Sequence, residues 1–162
     1  MTEEEKKLFE QAVEFFNKKD YDKSKSLYEE ILKINPKNSA IYGNLGVIFR
    51  IKGDVATAIK YYIEAIKLDP KNLPIYNNLA NAFKEIKNYK MALQVYSDIL
   101  KINPNDFNTF NNIGIVFELI GDNNKAIEAY KQAVRVNPKY AKAINNIGVV
   151  LYKQKRYKES AQ

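Results

Sequence analysis

The sequence predicts an all-α fold built from repeated helix pairs. The first observation is a period, because Pro36, Pro70, Pro104 and Pro138 each lie 34 residues after the one before. Each proline closes a similar phrase: KINPKN, KLDPKN, KINPND and RVNPKY. The second observation is that every period holds two stretches with the i, i+3, i+4, i+7 apolar spacing of an amphipathic helix. A unit of this length that recurs is typical of proteins whose repeats stack to share one core.

Counting back from the prolines gives full repeats at 5–38, 39–72, 73–106 and 107–140, and a partial fifth at 141–162. We therefore predict one repeat domain over residues 1–162. In the second repeat, Gly53 and Asp54 indicate the turn between two helices. The core of the first helix is marked by Tyr42, Leu45, Gly46 and Phe49, and that of the second by Ala58, Tyr62 and Ala65.

The two ends of the array differ. Thr2 and Glu5 have the spacing of a capping box, which predicts a helix start just after Thr2. At the other end, Gln162 falls just inside the expected second helix of the fifth repeat, near Ser160. A repeat array needs polar ends. We therefore expect the first helix of the fifth repeat to self-associate through its uncovered inner side. The apolar residues on that side are Ile144, Ile147 and Leu151.

Composition excludes several classes of protein. The chain is 46% hydrophobic and 28% charged, which favours a globular protein over a disordered one. It contains no apolar run of the roughly 18 residues that span a bilayer, and MTEEEKKLFE lacks the apolar segment of a signal peptide. We therefore expect a cytoplasmic chain without membrane insertion. The net charge is +7, but residues 141–162 alone contribute +4. A nucleic-acid partner is not predicted, because such proteins carry a basic stripe along one face.

The residues that usually carry catalysis are missing. The sequence has no His and no Cys, which removes the common groups that titrate near neutral pH. It also lacks the G-x-x-x-x-G-K phosphate loop and the S-x-x-K pairing of serine nucleophiles. We expect no enzymatic activity, no cofactor and no metal site.

Together these motifs resemble the tetratricopeptide repeat, a 34-residue helix–turn–helix unit with Leu-Gly between aromatic residues and a late proline. The resemblance covers about Glu5 to Gln162. It implies a right-handed superhelical solenoid of antiparallel helix pairs that serves as a protein-interaction scaffold. The chain departs from the family pattern at Gln11, Ile31 and Ile99. The position where the family keeps a small residue for close helix approach is occupied by Ala12, Gly46, Ala80, Gly114 and Gly148.

Asparagine recurs at the sixth position of the first helix, as Asn44, Asn78, Asn112 and Asn146. At about 100° per residue, this position points roughly 150° away from the middle of the predicted core stripe. In the tetratricopeptide family that side lines a concave groove, and this column resembles the asparagine ladder of the O-GlcNAc transferase repeat domain. Since an amide both donates and accepts, it can hold a peptide backbone. The partner implied is an unidentified protein with an extended segment. Further groove residues implied are Asn77, Asn81, Asn111, Asn145, Arg50, Lys84 and Glu118.

Other interpretations of these patterns stay open at this point. The asparagines fit a family average or an Asn-rich composition, and many others suit turns. The carboxylate clamp of some family members is not predicted, because Asn77 and Asn146 stand where it needs cations. Phe9, Val13 and Phe16 form an apolar start to the groove that either anchors a ligand side chain or packs against its own helix pair.

The ladder generates a first prediction. A variant with Asn44, Asn78, Asn112 and Asn146 all changed to Ala loses the peptides that the wild type captures from a library of unstructured peptides. Each amide that contacts backbone contributes about 0.5–1.5 kcal/mol, so four together remove most of the affinity. Circular dichroism checks that both proteins are folded. Equal binding by the two proteins would show that the recurrence of asparagine reflects the family average and not a role in binding.

Overall fold

The computed structural model describes residues 2–160, and for residues 156–160 it describes the backbone alone. The described residues form nine α-helices and no strand, which confirms the predicted all-α class. The helices are α1 (Glu3–Asn17), α2 (Tyr21–Ile34), α3 (Ser39–Ile51), α4 (Val55–Leu68), α5 (Leu73–Glu85), α6 (Tyr89–Ile102), α7 (Phe107–Ile120), α8 (Asn123–Val136) and α9 (Ala141–Ser160).

The chain divides into two compact units, Met1–Ile86 (unit 1) and Lys87–Gln162 (unit 2). In unit 1, α1 packs on α2 and α3 on α4, while α3 also contacts α5. In unit 2, α7 packs on α8, α8 packs on α9, and α7 also contacts α9. First helices of neighbouring repeats are therefore adjacent within each unit. The single domain over residues 1–162 stays a prediction.

Short polar side chains start most of these helices. The box predicted at Thr2 is present, since Thr2 Oγ1 accepts from the Glu5 backbone N–H and Glu5 accepts from the Thr2 backbone N–H. Such caps satisfy N–H groups that have no partner within the helix. One cap of this kind precedes the second helix of each full repeat: Asp20, Asp54, Asn88 and Asp122.

The asparagines before the periodic prolines have a turn function. Asn35 Oδ1 accepts from the backbone N–H of Lys37, two residues on. This is the local bond that makes Asn and Asp favoured in turns. The same bond is made by Asp69, Asn103 and Asn137. Part of the asparagine content is thus accounted for by helix ends rather than by a binding surface.

A tyrosine ring against a glycine sets the distance between paired helices. Tyr62 in α4 and Tyr130 in α8 are fully buried. A Cβ placed on Gly46 would lie 2.5 Å from the Tyr62 ring, and one on Gly114 would lie 2.4 Å from the Tyr130 ring. Because carbon atoms pack at about 3.5–4 Å, only glycine fits at these two positions with the rings in place.

The core is wider than the predicted stripe. Ile41 and Ile48, which the helix pattern did not select, are fully buried in a cluster with residues of α1 and α2. Tyr42 and Phe49, which it did select, are half-buried and pack on the Tyr61 ring with centroid separations of 6.0 and 5.1 Å. The reason is that a first helix contacts both its own second helix and the preceding repeat, so its buried arc spans both contacts.

The fifth repeat differs from the other four at its turn. Residues one period apart, Lys19, Gly53, Lys87 and Gly121, all adopt positive φ and end a first helix. One period later, Lys155 stays helical, and α9 runs on to Ser160. Left-handed backbone costs a non-glycine residue about 1 kcal/mol. Among the described residues, no second helix packs back on α9 to offset that cost. The expected position of Gln162 lies outside the described residues.

The glycine positions generate a second prediction. Gly114→Ala lowers the free energy of unfolding by about 1–2 kcal/mol, because overpacking against Tyr130 outweighs the helix propensity that alanine gains. Gly148→Ala is the matched control, since no described atom lies within 4 Å of its Cβ position. It is expected to raise stability slightly. Urea denaturation measures both, and an equal effect of the two changes would contradict the ring-packing account.

Candidate functional site

An apolar cavity of about 220 Å³ opens in unit 1, between α1, α2 and α3. Its lining is Phe9, Val13, Phe16, Tyr28, Asn44 and Val47. The three residues of α1 are the apolar start of the groove expected from the sequence. Phe9 packs against Tyr28 at 6.0 Å and Phe16 against Tyr21 at 5.5 Å between ring centroids. These rings therefore pack in their own helix pair, and because they still leave a cavity, a role in anchoring a ligand side chain stays a prediction.

Asn44 brings the polar group of the cavity wall. Asn44 is the first predicted ladder residue of unit 1, and it lies half-buried on α3. Burial raises the pKa of the Tyr28 hydroxyl, and the neighbouring Asn44 and Ser24 side chains act in the opposite direction. The cavity thus combines an aromatic floor with one amide, a composition typical of small ligand sites.

The three asparagines of α5 differ in whether their side-chain amides make a hydrogen bond within the protein. Asn77 donates its amide N–H to the carbonyl oxygen of Leu73 at 3.2 Å, one helical turn back. Asn78 and Asn81 are half-buried, and within the described residues their side-chain amides make no hydrogen bond. Asn77 therefore has one amide N–H engaged within its own helix, while the amides of Asn78 and Asn81 remain free to contact a ligand. The backbone-binding role stays a prediction for all three residues.

Two cations follow the asparagines along α3 and α5. Arg50 lies 3.9 Å from a carboxylate oxygen of Glu85, as a loose and partly exposed ion pair. Burial lowers the pKa of Lys84, and the positive charge of Arg50 lowers it further. A cation that is both desolvated and repelled is stabilised by an incoming anion. Lys84 and Arg50 thus mark a place where unit 1 favours a negative group.

Unit 2 uses its asparagines differently. The Asn146 amide N–H donates to Asn111 Oδ1 at 3.0 Å, joining α9 to α7. Asn111 is only 5% exposed, so this predicted groove residue is mainly a packing residue. Asn112 is half-buried and Asn145 is exposed. Of the unit 2 ladder, Asn112 keeps a whole amide available among the described contacts, while Asn146 has one N–H engaged.

Glu118 is also engaged within unit 2. Its Oε2 accepts from the buried hydroxyl of Tyr130 at 2.8 Å, and its Oε1 lies 3.7 Å from Lys153 Nζ. The pKa of Tyr130 is raised, first by burial and then by this carboxylate. The sequence predicted Glu118 as a groove residue, and the structure places it as an acceptor for a core tyrosine.

Sequence reasoning missed the second-helix contribution to the cavity. Tyr28 was absent from the expected site residues, although it forms the floor against Phe9. The signal was available, because Tyr28 lies one period before Tyr62 and shares its register. The Tyr130–Glu118 bond had no comparable signal, since a helix pattern gives directions from one axis and not contacts between two helices.

Neither a metal-binding cluster nor a membrane-spanning helix occurs among the described residues. No group of three or more His, Cys, Asp or Glu residues within the described part of the chain has the arrangement of a metal site. Among the same residues, every helix is too short or too polar to cross a bilayer.

The Tyr130–Glu118 bond generates a third prediction. Glu118→Ala lowers the free energy of unfolding by about 1–3 kcal/mol, because it leaves a buried hydroxyl without an acceptor. Glu128→Ala is the control, as Glu128 is an exposed carboxylate on the α8 helix that also carries Tyr130. Urea denaturation of both variants measures the difference. Indistinguishable midpoints would show that the bond contributes nothing to stability.

Solved structures share this fold. A tetratricopeptide repeat protein from Parabacteroides merdae is 24% identical, with 98% of this chain and 63% of that chain covered and a TM-score of 0.86. MamA from Desulfovibrio magneticus RS-1 is 19% identical, with coverages of 99% and 91% and a TM-score of 0.81. YrrB, described as a TPR protein with an unusual peptide-binding site, is 18% identical, with coverages of 83% and 69% and a TM-score of 0.71. Identities this low show the fold alone.

Sequence comparisons identify the family. No curated protein matches the chain in sequence. A family model described as "TPR repeat" matches residues 46–87 and 119–155. Models described as "Tetratricopeptide repeat" match residues 9–38, 27–60 and 74–106. The matched segments extend through both units, so this chain, an all-α repeat solenoid, belongs to the tetratricopeptide repeat family.

Proposed function

We propose that this protein is an interaction scaffold, and that unit 1 binds an extended peptide segment of a partner protein. The observation that carries the proposal is the apolar cavity with Asn44 in its wall, in the same unit as the unpaired amides of Asn78 and Asn81. Three kinds of group, apolar, amide and cationic, are then available to one ligand. Each selects a different feature of a peptide.

The amides select backbone rather than side chains. An asparagine side chain offers two N–H donors and one carbonyl acceptor, which match the C=O and N–H of a peptide unit. Asn44 and Asn78 occupy equivalent positions on α3 and α5, and these helices are in contact. Packed helices lie about 8–10 Å apart, and an extended chain advances about 3.3 Å per residue. Successive amides would then meet every third residue of the ligand.

The cavity selects one apolar side chain. Its volume of about 220 Å³ suits a leucine, methionine or phenylalanine side chain of the ligand. Burying such a side chain contributes about 1.5–3 kcal/mol, which is more than one amide–backbone bond provides. We therefore assign the main anchor of the peptide to the cavity, and its direction and register to the amides.

The cations select an acidic residue. Lys84 is half-buried beside Arg50, and the attraction of an anion would offset the cost of the desolvation and of the repulsion that lower the pKa of Lys84. Glu85 neutralises only part of this charge, at 3.9 Å from Arg50. The ligand class proposed is a segment with an apolar anchor followed or preceded by an acidic residue. The solved structure of YrrB, described as having a peptide-binding site, supports peptide binding by this fold.

The cavity generates a fourth prediction. Peptides selected from a library of unstructured sequences are expected to share the apolar anchor and the acidic residue. Val13→Phe fills the cavity with a ring and weakens the best peptide about tenfold or more, in line with the loss of one buried apolar side chain. Val149→Phe repeats the change at the same register of α9, outside the cavity, and leaves binding unchanged. Fluorescence anisotropy with a labelled peptide measures both.

Lys84→Met tests the ionic contribution to peptide affinity separately from any effect on stability. This change removes a partly desolvated charge, so the free energy of unfolding does not fall, while affinity drops for the acidic peptide and not for its Asp→Asn or Glu→Gln analogue. Binding that is insensitive to both Val13→Phe and Lys84→Met would place the peptide elsewhere and overturn the proposal.

A further inference from the structure

Tyr62 and Tyr130 occupy the same register of α4 and α8, but only one of their hydroxyls has an acceptor. Both side chains are fully buried. The Tyr130 hydroxyl donates to Glu118 Oε2 at 2.8 Å, whereas the buried hydroxyl of Tyr62 makes no hydrogen bond among the described residues. A buried hydroxyl without a partner is costly, so its presence in a folded protein needs an explanation.

The difference between the two tyrosines comes from one position on the first helix of each pair. Glu118 lies on α7, and the residue two periods earlier, on α3, is Arg50. A guanidinium group only donates hydrogen bonds, so Arg50 does not replace the acceptor that Glu118 provides. Burial raises the pKa of Tyr62 to about 12, and the charge of Arg50 acts in the opposite direction, which places Arg50 near this hydroxyl.

Two cations of unit 1 have no close anion. The ion pair of Arg50 with Glu85 is loose, with 3.9 Å between Nε and Oε2, whereas charge-assisted hydrogen bonds are about 2.7–2.9 Å long. Lys84 is half-buried and has no ion pair among the described residues. Burial and then the charge of Arg50 lower the pKa of Lys84, so the two cations lie near each other. Both can accept a further anionic partner.

Unit 2 shows which group completes such an arrangement. Glu118 places one carboxylate oxygen on the Tyr130 hydroxyl and the other 3.7 Å from Lys153 Nζ. A carboxylate at this register therefore bridges a tyrosine hydroxyl and a lysine. Unit 1 has the tyrosine and the cations, but the carboxylate is replaced by Arg50.

Glu85 limits the negative charge that unit 1 accepts at this place. Two cations and the carboxylate of Glu85 leave a single positive charge, which one carboxylate of a ligand neutralises. A phosphorylated residue carries about −1.5 to −2 charge at pH 7, so it would leave an excess of negative charge beside Glu85. Because like charges at short range repel, Glu85 favours a carboxylate over a phosphoryl group.

We propose that Arg50, Lys84 and the Tyr62 hydroxyl form a subsite for one carboxylate group of the ligand. Glu85 is the specificity-determining residue of this subsite, because it discriminates against a phosphoryl group. The Tyr62 hydroxyl is buried, so the carboxylate reaches it as the Arg50 side chain rotates outward. Arg50 is free to do so, because 35% of its side-chain surface is exposed and its only described ion pair is loose.

This subsite deepens the proposed peptide-binding function and rests on it, since it assigns a position to the acidic residue of the peptide. It differs from the carboxylate clamp of some family members, whose cations would stand at Asn77 and Asn146.

The first test compares three forms of the best library peptide, with glutamate, glutamine or phosphoserine at the acidic position. The wild-type protein is expected to bind the glutamate form at least fivefold more tightly than either of the other two. Glu85→Gln removes the repelling charge and is expected to make the phosphoserine form bind at least as tightly as the glutamate form. Fluorescence anisotropy at fixed ionic strength measures all of these affinities.

Tyr62→Phe tests the hydroxyl alone. The change is expected to reduce the preference for the glutamate form over the glutamine form at least threefold. It is not expected to lower the midpoint of urea denaturation, because the hydroxyl makes no described bond within the protein. Tyr130→Phe is the matched control, since it makes the same change at the same register in unit 2 and leaves the preference unchanged.

Sodium acetate tests the subsite without a peptide. In protein labelled with carbon-13 at lysine Cε, the Lys84 signal is identified by its loss in Lys84→Met. That signal is expected to shift when acetate replaces chloride at constant ionic strength, and to shift less with inorganic phosphate. A Lys84 signal that acetate does not move would overturn the subsite.

The outcomes separate this proposal from the function on which it rests. An unchanged preference in Tyr62→Phe, or a phosphoserine form that the wild type binds best, would overturn the subsite while peptide binding stands. A shift of Lys84 by acetate, together with no binding of any library peptide, would support the subsite and overturn the peptide-binding function.

Discussion

The contact of a tyrosine ring with a glycine holds two helix pairs of this protein, α3 with α4 and α7 with α8, at a fixed distance. At Gly46 and Gly114 the ring occupies the space that any side chain would need. Because the small residue admits the ring, the two helices approach closely, and the large apolar residues beside it, such as Leu45, become fully buried. The direction of every other side chain on the first helix then follows from its angle to this contact. The cavity wall and the amides occupy the sides that the contact leaves open.

One register position serves different purposes in different repeats. Counted from the first residue of each repeat, position twelve is Phe16 in the first, Arg50 in the second and Glu118 in the fourth. Phe16 lines the cavity, Arg50 lies near Lys84, and Glu118 accepts a hydrogen bond from the Tyr130 hydroxyl. The helix geometry is the same in each case, so a change of residue alters the chemistry without altering the fold. The two units differ for this reason: in unit 1 the side-chain amides of Asn78 and Asn81 have no described hydrogen bond, while unit 2 uses Glu118 and the Asn111–Asn146 pair to hold its own helices.

The repeats were predictable because they impose a strict period. Proline spacing located the repeats, and cap and turn residues such as Asp54 indicated helix starts that the structure confirms. Contacts between helices were less predictable. The angle of Ile41 on α3 gave no indication that α1 and α2 bury it. Likewise the angle of Asn111 suggested exposure, although Asn146 of the next repeat covers it. A helical pattern describes one axis, whereas burial in a repeat protein depends on both neighbours.

The turn at the end of each first helix links local backbone energy to packing on that helix. Lys19 and Lys87 adopt left-handed backbone where glycine would do so at no cost. At Lys19, the packing of α2 on α1 provides the compensating energy. Lys155 has the same side chain at the same register and remains helical. Among the described residues, left-handed backbone at this register therefore accompanies a second helix that packs on the first, as α2 does on α1.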